Sequence, residues 1–204
     1  MGESAIDTDL LERWRAGQVD AGQQLFQRHF DSIFSFFQTK SEADADELPQ
    51  ATFLACLRAK DQFRGAASFR TYLFSIARNE LYRVLRERYR DNAHLDFDAS
   101  SMAQLISTPA TKMARSQEHR KLLEALRELP VEQQTLLELH YWEEMDAGEL
   151  AEVFEAPEAT IRTRLHRARK ALKAKIEGVV EPQALESLDT MDRWARELTV
   201  RGSR

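Results

Sequence analysis

Residues 146–176, DAGELAEVFEAPEATIRTRLHRARKALKAKI, constrain the fold more than any other stretch of the chain. Asp146 followed three residues later by Glu149 is a capping-box signal that starts a helix. Pro157 fits the first turn of a second helix, and only Phe154, Glu155 and Ala156 lie between the two. In the second helix Ile161, Leu165, Ala168, Leu172 and Ile176 recur at steps of four, three, four and four. At this spacing they form one buried stripe. The opposite face carries Ala159, Thr163, His166, Arg167 and Lys170, with Thr160 and Arg162 on its flanks. Two helices joined this tightly, the second strongly basic, make a helix-turn-helix.

That outer face has the chemistry of a major-groove reader. Arginine makes bidentate contacts with guanine, and threonine hydrogen-bonds or touches a thymine methyl. Arg164, Arg169 and Lys173 are placed for phosphates or for pairs within the chain. A helix-turn-helix alone fits many DNA-binding regulators equally well.

Net charge is −5, which by itself speaks against a nucleic-acid partner. The distribution reverses this. Arg64 to Arg90 holds seven arginines against two acids, and Glu158 to Lys175 seven basic residues against one acid. These segments carry +5 and +6, leaving −16 for the rest of the chain. Two basic segments on an acidic body are a localised electrostatic footprint.

Seven glycines and five prolines in 204 residues are too few for a turn-rich β fold, so the chain reads as all-α. Helices are expected from near Asp7, from Ala21 to about Gln38, from about Asp46 to Ala59, and from about Ser68 to Arg90. Their apolar positions, including Leu25, Phe26, Phe30, Ile33, Phe34, Phe37, Leu48, Phe53, Leu54 and Leu57, read as core. Residues 91–115 have weak periodicity and small polar side chains and read as a flexible linker. Helices at about Ser116 to Glu128 and Val131 to Trp142 precede the helix-turn-helix. The expected architecture is therefore two small helical domains, 1–90 and 116–177, the second containing the helix-turn-helix, followed by an extension at 178–204. In that extension Leu185, Leu188, Met191, Ala195 and Leu198 line one side of a helix. It either packs on the second domain or serves as a regulatory element that occludes a binding surface.

The run Thr160-Ile161-Arg162-Thr163-Arg164-Leu165, followed by His166-Arg167-Ala168-Arg169, resembles the −35-reading domain of the extracytoplasmic-function group of bacterial sigma factors. The first half resembles the same group. DADELPQATF, residues 44–53, is similar to the segment that docks on the coiled coil of the polymerase β′ clamp. FRGAASFRTYLFSIARNELYRVLRERYR, residues 63–90, is similar to the group's segment that engages the −10 element. The resemblance implies a chain that binds core RNA polymerase at the β′ clamp and β flap, recognises −35 and −10 promoter DNA and promotes its opening. Asp46, Glu47, Gln50 and Phe53 would contribute to the polymerase surface. Tyr72, Arg78, Asn79, Arg83 and Arg86 would contact the −10 element, with Arg64, Ser68 and Arg70 shaping a loop that captures a flipped base. Opening needs an unstacked base held by aromatic and polar groups while arginines neutralise the backbone. Thr160, Arg162, Thr163, His166, Arg167 and Lys170 would read the −35 element. The linker would thread through polymerase, and an anti-sigma factor is a further partner the resemblance allows.

Three departures from the family pattern stand out. Pro49 occupies an aliphatic position, Ala51 an acidic one, and Glu155-Ala156 a turn in which glycine is common. Proline inside a helix costs about 3 kcal/mol, but little in the first turn. The competing reading is a helix-turn-helix regulator that never joins polymerase, which has no use for segments 44–53 and 63–90. No metal-ligand or catalytic-triad spacing is present among five histidines and the single Cys56, so neither an enzyme nor a cofactor is expected. The lone cysteine and the absence of a signal-peptide pattern or long apolar run predict a cytoplasmic protein without membrane insertion.

Overall fold

A computed structural model of the chain describes residues 3–40, 46–63, 67–89, 96–105 and 117–177. The extension at 178–204 and Arg64 lie outside the described residues. The described residues form helices and no strands. The first half holds α1 (Glu3–Arg15), α2 (Val19–Gln38), α3 (Glu47–Ala59) and α4 (Phe69–Arg88). A short α5 (Met102–Leu105) precedes α6 (Gln117–Arg127), α7 (Val131–Tyr141), α8 (Ala147–Phe154) and α9 (Glu158–Glu177).

α1 begins before Asp7, which is a buried residue of the helix and not its start. Leu10, Leu11 and Trp14 follow it on the same face and pack against α2. Gly22 permits the close approach, since a Cβ there would lie 2.5 Å from Trp14 Nε1. Gly17, at φ 97°, makes the turn between the two helices with a backbone that favours glycine. Pro49 is the third residue of α3, inside the first turn, where its missing N–H removes no helical bond. Ser68 caps α4 by accepting from Thr71 N at 3.1 Å.

The apolar surface of the first half departs from expectation. Leu25, Ile33, Phe37 and Leu48 are buried, but Phe30, Leu54 and Leu57 are 46%, 52% and 45% exposed. Phe30 stacks on Phe34 and Phe53, with ring centroids 6.0 and 6.2 Å apart. The α2 and α3 stripes are wider than the core they cover, so one edge of each remains at the surface.

The stretch expected to be only a connector contributes to the core. Met102 is fully buried, and Phe97 stacks on Tyr82 with centroids 4.2 Å apart. Its backbone also completes α7: Val131 N donates to Ser100 O at 2.9 Å and Glu132 N to Phe97 O at 3.1 Å. These are first-turn amides that no carbonyl of α7 itself can satisfy. The two groups of helices, α1–α4 and α6–α9, are thus packed together, with α8 lying across α4 and one continuous core running through both.

Candidate nucleic-acid interface

α8 and α9 form the expected helix-turn-helix. Asp146 accepts from Glu149 N at 2.9 Å and Glu149 accepts from Asp146 N at 3.1 Å, a complete capping box. The turn is made without glycine: Glu155 adopts the left-handed conformation at φ 50°. Pro157 stands just before α9 and not within its first turn. Its carbonyl accepts from Thr160 N and Ile161 N at 2.8 and 3.1 Å. Ile161, Leu165, Ala168, Leu172 and Ile176 are all buried, so the helix is locked in rotation about its axis. Each of the four larger side chains contributes roughly 1.5–3 kcal/mol on burial.

That rotation turns Arg162, Thr163, His166, Arg167 and Lys170 to the surface, with Thr160 half-buried. Arg162 is engaged by Glu158, at 2.5 Å. Arg167 and Lys170 have no acidic partner among the described residues. Thr163 Oγ1 donates to Ala159 O at 3.0 Å, so its hydroxyl proton is spent inside the helix. Arg164 and Arg169 serve the chain itself: Arg164 donates to Glu132 at 2.8 Å, and Arg169 donates to Tyr141 Oη at 2.8 Å and lies 2.7 Å from His140 Nε2.

The residues expected at a −10 element gather around α4 but in different states. Tyr72 lies on Phe63, centroids 4.7 Å apart, and donates to Ala59 O at 3.2 Å. With Gln62, Ala67, Thr71 and Ser75 these rings line a cavity of about 230 Å³, whose remaining wall is Glu152 of α8. Asn79, Arg83 and Arg86 are exposed. Arg83 is clamped by Glu80 and Glu87 at 2.8 and 2.9 Å, while the Arg86 guanidinium lies 5.1 Å from the Phe97 ring centre. Arg70 and Arg78 instead face the second half. Arg70 is 4.0 Å from Glu143 and 3.7 Å from Glu149, and Arg78 is 3.3 Å from Glu132.

Asp46 precedes α3 without a side-chain capping bond, and Asp46, Glu47 and Gln50 are exposed along its start. Phe53 is half-buried against Phe26, 4.8 Å between centroids. Sequence reasoning missed the acids and bases that join the halves. Lys40 and Glu138 form a buried ion pair; Thr39 Oγ1 donates to the same carboxylate at 3.1 Å. Burial pulls the Lys40 ammonium below its ordinary range, against the upward pull of Glu138. Burial likewise pushes the Glu143 carboxyl up, opposed by Arg70, Ser32 and Lys40. No helix of the described residues is long and apolar enough to cross a membrane.

Two family models match the chain: sigma-70 region 2 over residues 25–91 and sigma-70 region 4 over residues 119–172. The chain is 28% identical over 189 residues to the ECF RNA polymerase sigma-E factor of Escherichia coli, covering 88% of this chain and 99% of that one. It is 26% identical over 186 residues to the same-named factor of Haemophilus influenzae, covering 87% and 98%. Among solved structures, CnrH in complex with the cytosolic domain of CnrY matches with a TM-score of 0.64 at 24% identity, covering 86% of this chain and 99% of that one. The sigma factor RpoE of Bartonella quintana, in complex with the anti-sigma factor NepR, matches at 0.60 and 22%, covering 78% and 98%.

Proposed function

The chain belongs to the sigma-70 family, whose region 2 and region 4 together match more than half of it, and from that premise we propose how its surfaces divide the work of initiation. It is an RNA polymerase sigma factor of the extracytoplasmic-function group, an initiation factor and not an enzyme, that binds core polymerase and promoter DNA. Residues 116–177 read the −35 element through Arg162, Thr163, His166, Arg167 and Lys170, with Thr160 at the helix start. Residues 1–90 carry the −10 and polymerase surfaces, and 91–115 connect them.

One observation supports this division: a single chain holds both an exposed basic face on a capped helix-turn-helix and a cavity walled by Phe63 and Tyr72 at the start of α4. The cavity has the chemistry to hold an unstacked base by ring contact, with Gln62, Thr71 and Ser75 as polar partners. Ser68 fixes the start of α4, and Arg64, Arg70, Arg78, Asn79, Arg83 and Arg86 are the further residues proposed to meet the −10 DNA. Asp46, Glu47, Gln50 and Phe53, extended by exposed Leu54 and Leu57, form the surface offered to the β′ clamp. The protein works where core polymerase does, in the cytoplasm. The Bartonella relative is held by an anti-sigma factor in its structure, and a regulator of that class is proposed here too.

Run-off transcription with purified core polymerase and a promoter library tests this reading. The expected result is a set of start sites sharing −35 and −10 sequences. Neither start sites nor core binding would overturn it, and duplex DNA binding without core binding would favour the regulator that does not join polymerase.

A further inference from the structure

Arg15 is the last residue of α1, and its guanidinium reaches across to the end of α3. α1 is seated by Leu10, Leu11 and Trp14, all buried, and Trp14 lies against Gly22 of α2. α3 ends at Ala59, and its last carbonyls have no further helical turn to take them up. Ala59 O accepts from Gln62 N at 2.9 Å and from the Tyr72 hydroxyl at 3.2 Å. Lys60 O accepts from Arg15 twice, from Nε at 3.1 Å and from Nη2 at 2.7 Å, and Phe63 O accepts from the same Nη2. Neither Lys60 O nor Phe63 O takes a backbone amide among the described residues. The Lys60 side chain also turns toward α1, its Nζ 5.5 Å from the centre of the Trp14 ring. The Phe63 ring stands between two groups: the Arg15 guanidinium, 5.8 Å from its centre, and Tyr72, 4.7 Å away between centroids. Phe69 meets it edge-on at 6.5 Å.

We infer that Arg15 is a positioning residue for base capture, given the reading of the Phe63–Tyr72 cavity as the place that holds the unstacked base. From outside the −10 segment it fixes the Phe63 wall of that cavity without touching DNA. Gln62, which lies in the same turn and lines the cavity, is placed by the same contacts. The region 2 match begins at residue 25, so α1 lies before it.

A guanidinium suits this task. Its planar fork offers several N–H donors in fixed directions, so it holds two carbonyls three residues apart while lying over a ring. Lys60 O is at the C-terminal end of α3, where a cation is favoured. A lysine is a point charge on a flexible stem and does not reproduce the fork. Loss of Arg15 frees the Phe63 backbone but leaves Tyr72 tied to Ala59 O, so one wall of the cavity shifts relative to the other.

The test uses holoenzyme assembled from the full chain and core polymerase. Its ligand is a labelled single-stranded oligonucleotide with the −10 sequence of a promoter found by run-off transcription, each strand used in turn. An abasic site replaces each base in succession, and affinity is followed by anisotropy. In the wild type, one position is expected to lose about tenfold, the scale of one base–ring stack; that position is the captured base. R15Q is expected to lose about as much on the intact strand, and nothing further when the abasic site stands at that position. R15K falls between R15Q and the wild type. R13Q removes the same charge from the same turn of α1, where Arg13 pairs with Asp9 and Gln18, and keeps wild-type affinity for both oligonucleotides. A general loss of fold would weaken binding to intact and abasic strands alike. That result, an unchanged R15Q, or an equal loss in R13Q overturns the proposal. Should R15Q fail to fold, R15K carries the test with the same pattern at smaller size, and an unchanged R15K overturns the proposal. If no abasic position weakens the wild type, the base-capture reading itself fails; if one does while R15Q matches the wild type, only the role of Arg15 falls.

Discussion

Arg162 and Arg167 are both exposed on α9, yet they begin from different states. Arg162 must release Glu158 before it can reach a base, whereas Arg167 has no such competitor among the described residues. An exposed pair four residues apart on a helix contributes only about 0.3–0.5 kcal/mol, so the barrier is low but not zero. Arg167→Ala is expected to weaken −35 duplex binding by about 1–3 kcal/mol if it contacts a base. Arg162→Ala should cost less, because loss of the contact is partly offset by no longer breaking the Glu158 pair. Anisotropy titration on a −35 duplex drawn from run-off promoters checks this; wild-type affinity and sequence preference in Arg167→Ala would remove that residue from the reading face. The local nature of this face is why it was legible. The stripe Ile161, Leu165, Ala168, Leu172 and Ile176 fixes the rotation of the helix, and everything opposite follows from its spacing. Only the Glu158 contact, also local, had to be seen in three dimensions.

At the scale of the helix, local signals succeed or fail according to where a residue finds its partner. The capping box of Asp146 and Glu149 is satisfied within one turn, and α8 begins where the sequence places it. Asp7, near which a helix start was expected, misleads. It lies three, four and seven residues before Leu10, Leu11 and Trp14, on the face that is buried, and its partners are on α2. One carboxylate oxygen accepts from Arg28 at 2.8 Å and the other meets His29 Nε2 at 2.7 Å. This cluster fixes α1 on α2 and gives the fold a pH dependence. Burial lowers the His29 pKa more than Asp7 raises it, and Arg28 and Arg70 add to the lowering. The unfolded chain then takes up a proton near its ordinary 6.5, while the folded chain does so only at lower pH. Between those values the unfolded state holds more protons, so stability falls as pH drops below 6.5. Urea unfolding at about pH 7.5 and about pH 5.5 should show that loss in the wild type and a smaller one in His29→Gln. Equal losses would show that His29 does not carry the dependence.

For the whole molecule, what the sequence could not yield is the relation between its halves. Lys40 and Glu138 are 98 residues apart, and no periodicity, cap or turn links them. The same limit hid the surface of α3. Leu54 and Leu57 share a helical stripe with buried residues and read as core, but the first half has too few neighbours to cover them. α3 packs chiefly on α2 and α4, so its exposed edge stays open while α8 lies across α4. The exposed edge of α3 is therefore free of neighbours within the described residues and is the surface proposed to meet core polymerase. Exposed apolar side chains along one helix edge are the kind of patch a partner buries. Leu54→Asp should leave folding stability within about 0.5 kcal/mol, since the side chain is 52% exposed, while lowering core polymerase affinity about tenfold or more. Core-binding titration and urea unfolding of Leu54→Asp check both figures, and unchanged core affinity would remove Leu54 from the polymerase surface.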